Sequence, residues 1–181
     1  IKRLFDIPRR QLDRFPKEDA LTAKENGKWT PYSTRYFVDM IDRVSYGLLA
    51  SGIGKGDKIA IISANRPEWN FVNHGMMQSA AVNVPIYATL SEPEIKFILN
   101  DCGAKMVFAG DADLYQKIAA IRNEVPTLKQ VYTFSPVTGA DHWTELVKLG
   151  DQHTDASRLD SVRASIASGD LVELRNDVGT V

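Results

Sequence analysis

Between Lys58 and Phe134, short apolar runs and helical repeats take turns, and this alternation restricts the fold more than any other feature of the chain. Lys58 to Ser63 (Lys-Ile-Ala-Ile-Ile-Ser) is a buried-strand run. Pro67 follows at a position suited to a first helical turn, and Trp69, Val72, Met76 and Ala80 mark one face of the helix it opens. Val82 to Tyr87 reads as the next strand, with Pro85 a warning because proline brings no donor to a ladder. Ser91-Glu92-Pro93-Glu94 has capping-box spacing ahead of Ile95, Ile98 and Leu99, and Gly103 closes that helix. A third strand over Lys105 to Ala109, an N-cap at Asp111, a helical face of Leu114, Ile118, Ile121 and Val125, and a fourth strand over Gln130 to Phe134 complete the series. Strands separated by helices of this length pair in parallel through right-handed crossovers. The expected fold class is α/β, a Rossmann-like, doubly wound, mainly parallel sheet.

The flanks follow other rules. Pro8 to Phe15 reads as a short basic helix. Ala20 to Lys24 and Lys28 to Tyr32 form a hairpin through Glu25-Asn26-Gly27, since Asn-Gly tolerates positive φ. Ser33 is placed as an N-cap for a helix carrying Phe37, Met40 or Ile41, Val44 and Leu48, and Gly52 stops it. After the sheet, Asp141 to Leu149 suggests an amphipathic helix around Trp143, Leu146 and Val147. Ser157 to Ala167 suggests another, ended by Gly169, while Asp170 to Val181 carries no assignment. The expected division is 1–57 for the N-terminal helix, hairpin and long helix, 58–140 for the strand–helix core and 141–181 for the tail, all within one partial domain.

Composition narrows the function classes. Twenty-two basic side chains against twenty-three acidic ones give a net charge of -1, which supplies no overall field for nucleic acid. No apolar run approaches the roughly 20 residues that cross a bilayer, and Asp6, Pro8, Arg9, Arg10 and Asp13 interrupt any signal-peptide core. Cys102 is the single cysteine, so no internal disulfide can form; it reads as a small buried side chain, and cysteine usage fits a cytoplasmic setting. The chain opens on Ile1 rather than Met, so further residues upstream are expected.

Individual site signals are weak. Gly52-Ile53-Gly54-Lys55-Gly56 has the look of a dinucleotide loop but follows a helix and precedes a strand, the reverse of the phosphate-binding order. Asp111 and Asp113 stand at the carboxyl end of a strand, where two acids could hold Mg²⁺; capping and dipole complementation explain both more simply. His74, His142 and His153 are scattered, without ligand-spaced neighbours. Trp69, Phe71, Met76 and Met77 suit helix packing better than an apolar channel. The sequence holds neither a P-loop nor a Gly-x-Ser-x-Gly elbow.

Several stretches taken together carry more. Leu12-Asp13-Arg14-Phe15-Pro16, Ala20-Leu21, Gly27-Lys28-Trp29 through Tyr32-Ser33, and Leu48 through Ile62 resemble the opening of AMP-forming acyl-CoA synthetases. Asn65-Arg66-Pro67-Glu68-Trp69 and Val84-Pro85-Ile86-Tyr87-Ala88-Thr89-Leu90 are similar to the long-chain fatty-acid branch of that adenylate-forming superfamily. The likeness runs from about Leu4 to Asp170. It implies a parent enzyme that uses ATP and Mg²⁺ to turn a fatty acid into an acyl-adenylate, then passes the acyl group to coenzyme A. It also implies that a Ser/Thr/Gly-rich phosphate loop ending in Lys should follow Asp170-Leu171-Val172. The chain reads instead Glu173-Leu174-Arg175-Asn176-Asp177-Val178-Gly179-Thr180-Val181, which does not match. No residue of this chain is matched to a catalytic, cofactor-binding or metal position. The expectation is therefore an N-terminal fragment of a long-chain fatty acid–CoA ligase, inactive alone and without cofactors of its own. The parent is expected to be cytoplasmic, with peripheral membrane contact. The alternatives are a non-enzymatic association module, self-associating through exposed apolar surface, and a fragment of a fatty-acyl-AMP ligase that serves a carrier protein.

Overall fold

The computed structural model describes residues 1–25 and 27–175. Helix α1 covers Asp6–Arg14, and the strands β1 (Leu21–Glu25) and β2 (Lys28–Tyr32) pair antiparallel, Leu21 opposite Tyr32 and Glu25 opposite Lys28. Asn26 of the turn signal lies outside the described residues, while Gly27 takes a φ of +81°. Helix α2 (Thr34–Ala50) begins where the Ser33 hydroxyl oxygen accepts the Tyr36 N–H at 3.1 Å, and Gly52 beyond its end has a φ of +79°. Then come β3 (Lys58–Ile62), α3 (Pro67–Gln78), β4 (Val82–Ile86) and α4 (Glu92–Cys102). The Glu94 carboxylate accepts the Ser91 N–H at 2.8 Å and its hydroxyl at 2.6 Å, and Gly103 closes α4 in the left-handed region. The chain continues through β5 (Met106–Ala109), α5 (Ala112–Ile121), β6 (Gln130–Thr133), β7 (Asp141–His142), α6 (Trp143–Gln152) and α7 (Ala156–Ser165).

The chain divides into two compact units. The first contains Ile1–Ile53, Asn65–Ala80 and Leu146–Asp170. Within it α2 and α3 pack closely, and Gly75 is what permits the approach: a Cβ there would stand 2.5 Å from Val44 Cγ1. Gly47 and Gly150 do the same where α2 meets α6. The expected single apolar face of α3 is not what forms. Phe71, Val72, Met76 and Met77 are buried together with Asn73, Gly75 and Gln78, whereas Trp69 and Ala80 are only half-buried. A helix contacted by α2, α7 and β1 has too few open sides for one stripe to carry its packing.

The second unit contains Gly54–Ala64, Ala81–Glu145 and the segment from Leu171. Its five strands are all parallel, in the order β4-β3-β5-β6-β7, so the doubly wound, parallel sheet expected from the alternation is present. One layer of its core joins Val84, Ile86, Ala60, Ile62, Val107 and Val131 on the strands to Ile95, Leu99, Leu114 and Ile118 on α4 and α5. Cys102 belongs to this cluster, and burial pushes its thiol up from the ordinary range.

Two boundaries differ from expectation. Asp141 and His142 are not helical; they pair with Tyr132 and Thr133 as a short strand, and α6 starts only at Trp143. The edge of β6 otherwise leaves backbone groups unpaired, so pairing outweighs one further helical turn. Likewise α7 stops at Ser165 rather than running to Ala167, because Ile166 turns extended (φ -85°, ψ 116°) and is buried.

Pro85 causes no break. The Asn83 N–H donates to Val172 O at 3.0 Å, and Asn83 O accepts the Leu174 N–H at 2.8 Å, so Asn83 turns its backbone groups away from β3. Alternate residues of a parallel strand point the same way, which puts the missing donor of Pro85 on that same outer edge. The unassigned stretch thus contributes a parallel bridge between Glu173 and Asn83, and Asn176 to Val181 lie outside the described residues.

Candidate functional site

In an open parallel sheet, ligands gather at the carboxyl ends of the strands, where the strand order reverses. Here that place lies between β3 and β5, since the chain leaves β3 for β4 on one side and returns to β5 on the other. Ser63 follows β3 and Gly110 follows β5. The two meet closely: a Cβ on Gly110 would be 2.7 Å from Ser63 Oγ and 3.1 Å from Ser63 Cα. The Gly110 N–H donates to Ile62 O at 2.8 Å, and the Ser63 hydroxyl donates to Ala64 O at 2.8 Å. The Ser63 hydroxyl and the Gly110 N–H are thus both engaged with backbone carbonyls. Sequence reading passed over both residues; a Ser or Gly just past a strand says nothing by itself about what it faces.

The acids behave as caps. The Asp111 carboxylate accepts the Leu114 N–H at 3.0 Å and opens α5, and Asp113 sits exposed in its first turn. No group of three or more His, Cys, Asp or Glu side chains that could hold a metal ion occurs among the described residues. The Gly52–Gly56 stretch is a turn whose Gly54 N–H donates to the Asp57 carboxylate at 2.9 Å. Asp57 also pairs with Lys105 Nζ at 2.7 Å. Burial raises its carboxyl, but the Lys105 contact and the Gly54 N–H outweigh that and hold it below the usual range.

The three histidines stand apart, and His142 and His74 are engaged locally. His142 donates from Nε2 to Phe134 O at 2.8 Å and accepts the Thr144 hydroxyl at Nδ1, also at 2.8 Å, which ties the end of β6 to the start of α6. His74 donates from Nδ1 to Asn70 O at 3.0 Å and stands edge-on to Phe37, with ring centroids 5.2 Å apart. Burial depresses its pKa from the ordinary 6.5. His153 is exposed beside Tyr46, Leu49 and Arg158, on an open groove of about 370 Å³. Phe71, Met76 and Met77 are core, as the packing reading expects; Trp69 is half-buried.

The densest polar cluster of the first unit was missed by sequence reading. Asp42 on α2 accepts Arg9 NH2 at 2.5 and 2.6 Å, Arg163 NH2 at 2.6 Å and Gln78 Nε2 at 2.8 Å. Gln78 Oε1 accepts Arg163 Nε and NH2 at 3.0 and 2.8 Å, and Gln78 Nε2 also reaches Ser45 Oγ at 2.8 Å. These residues come from α1, α2, α3 and α7, so no local motif announces them. Every acceptor is taken by a neighbour, which makes the cluster a clamp between helices.

The comparisons with known proteins bear on family and fold. A family model described as AMP-binding enzyme matches residues 8–169. The long-chain-fatty-acid–CoA ligase FadD15 of Mycobacterium bovis is 28% identical over 155 residues, covering 86% of this chain and 26% of that protein. The long-chain-fatty-acid–CoA ligase ACSBG1 of Rattus norvegicus is 29% identical over 83% of this chain and 22% of its own length. The chain thus spans about a quarter of the length of these relatives. Among solved structures, the N-terminal domain of FACL13 from Mycobacterium tuberculosis superposes with a TM-score of 0.68 at 28% identity, over 82% of this chain and 36% of that one. Coronafacic acid ligase from Pectobacterium brasiliense shares the fold, with a TM-score of 0.74 at 18% identity, over 94% of this chain and 33% of that one. A match across residues 8–169 takes in both compact units, and the chain belongs to the AMP-binding enzyme family.

Proposed function

We propose that this chain is the N-terminal part of an ATP-dependent long-chain fatty acid–CoA ligase. The whole enzyme joins the fatty-acid carboxylate to the α-phosphate of ATP, releases pyrophosphate, and transfers the acyl group from AMP to the thiol of coenzyme A. Such a step needs donors and cations aimed at the phosphates, with Mg²⁺ to offset their charge. The observation that carries the reading is the family match over residues 8–169 together with long-chain ligases as relatives. Within it, these residues act as framework. Ser63 and Gly110 approach closely at the strand ends, and Asp111, His74 and His142 are engaged in a cap and local hydrogen bonds. The chain by itself is accordingly inactive, and ATP, Mg²⁺ and coenzyme A are handled elsewhere in the parent. No helix among the described residues is long and apolar enough to cross a membrane.

The test uses the whole protein that contains these residues. Given palmitate, ATP, Mg²⁺ and coenzyme A, it should release palmitoyl-CoA, detected by mass spectrometry. Acyl transfer only to a carrier protein would move it to the acyl-AMP ligases. No activation of any carboxylic acid would overturn the reading. A second role for the chain alone is self-association, favoured by Tyr87, Phe97 and Leu171, exposed at 76%, 62% and 57%. Light scattering that finds only monomer across a concentration series would remove it.

A further inference from the structure

Strand β4 ends the order of its sheet, and such an edge presents backbone groups to any extended chain that comes near. Proline limits what β4 presents. Its outward N–H groups fall on alternate residues, so Asn83 has one while Pro85, two residues on, has none. Pairing there is restricted to a few residues around Asn83. The chain's own Leu171–Leu174 uses this opening. Val172 O accepts the Asn83 N–H at 3.0 Å, and the Leu174 N–H donates to Asn83 O at 2.8 Å.

Side chains add selectivity to these bonds. Glu173 stands directly opposite Asn83 in parallel register, so their side chains share one face and those of Val172 and Leu174 share the other. Leu174 is half-buried against the cluster that contains Val84 and Ile86. Asn83 is fully buried, yet its Oδ1 and Nδ2 have no hydrogen-bond partner among the described residues. The Glu173 carboxylate turns instead to Arg175, at 2.7 Å, and Leu171 is 57% exposed. The segment is thus lightly held, beside a buried amide that it leaves unmatched.

We propose that the outer edge of β4 is an acceptor site for a short extended peptide, occupied in this chain by Leu171–Leu174 and vacated by local opening. The peptide that fits has apolar residues at alternate positions, as Val172 and Leu174 are, with a polar residue between them to meet the Asn83 amide. Main-chain bonds supply the affinity of such a site, and the alternate side chains its selectivity. A segment held by two backbone bonds and one apolar contact opens well below global unfolding. The inference concerns the sheet edge and does not depend on which reaction the parent catalyses.

The test titrates the whole isotope-labelled chain with a peptide of sequence Asp-Leu-Val-Glu-Leu-Arg and follows backbone amides by NMR. The chain's own segment competes at an effective concentration on the order of millimolar, so the wild type should bind weakly. Leu174→Pro removes the donor to Asn83 O and should raise the apparent affinity on the order of tenfold, with the Asn83 amide shifting most. A peptide carrying Pro in place of its second Leu should not bind. Leu174→Ser keeps the N–H and loses the packing; it should bind more tightly than wild type too, and it decides the matter if Leu174→Pro fails to fold. Equal binding by wild type and both variants would place the peptide elsewhere and overturn the proposal. So would shifts confined to amides away from β4, or no binding to either folded variant.

Discussion

Gly150 has no room for a methyl group: a Cβ there would stand 2.1 Å from Arg43 O and 2.8 Å from Gly47 N. Both neighbours are backbone, so relief requires α6 to move off α2. Gly150→Ala should cost about 2 kcal/mol or more, read as a lower urea midpoint with an unchanged slope. Ala80 is the opposite case. It holds a φ of +61° just past α3, a conformation glycine adopts freely, so Ala80→Gly should stabilise by about 0.5–1 kcal/mol and raise the melting temperature. His74 sets a pH dependence. Burial keeps its ring neutral in the fold below the ordinary 6.5, so the unfolded chain takes up the proton first as pH falls. Stability from this group is complete above 6.5 and declines as pH drops through that value toward the depressed folded one. Melting temperatures of His74→Gln should therefore change less than wild type between about pH 7 and about pH 5. What could be read at this scale was local. Gly52 and Gly103 follow helices, where a left-handed residue is the usual stop; Gly47, Gly110 and Gly150 owe their identity to partners distant in sequence or across a strand pair.

At the scale of elements, the chain announced those whose signals are self-contained. Ser33, Asp111 and the Ser91–Glu94 pair cap the helices they precede because a side-chain oxygen and a free N–H lie within three residues of each other. The strands from Lys58 to Thr133 were legible from their apolar runs. The misread segments, Asp141-His142 and the end of α7, are those where an edge of the sheet or a burial site for Ile166 overrides local preference. The Asp42 clamp was invisible for the same reason, its partners lying 33, 36 and 121 positions away. Asp42→Ala would take one acceptor from two guanidinium groups and an amide, at a cost of about 1–3 kcal/mol. Arg9→Ala removes a side chain that is 41% exposed and should cost under about 1 kcal/mol, so chemical denaturation of the two variants should separate them clearly.

For the whole molecule, fold and family were legible and the active site was not, for a physical reason. A parallel sheet is encoded in short runs spread along the chain, and the matches at Asn65–Trp69 and Val84–Leu90 lie within those runs and their loops. A site for ATP needs donors converging on phosphates, and at the reversal between β3 and β5 the Ser63 hydroxyl is spent on the Ala64 carbonyl. The chain matches about a quarter of each long-chain ligase, and the proposed function makes it framework rather than a carrier of reacting groups. ATP–pyrophosphate exchange with this chain alone, in the presence of palmitate and Mg²⁺, measures that directly. The framework account predicts no labelled ATP above the protein-free control; exchange that depends on the fatty acid would contradict it.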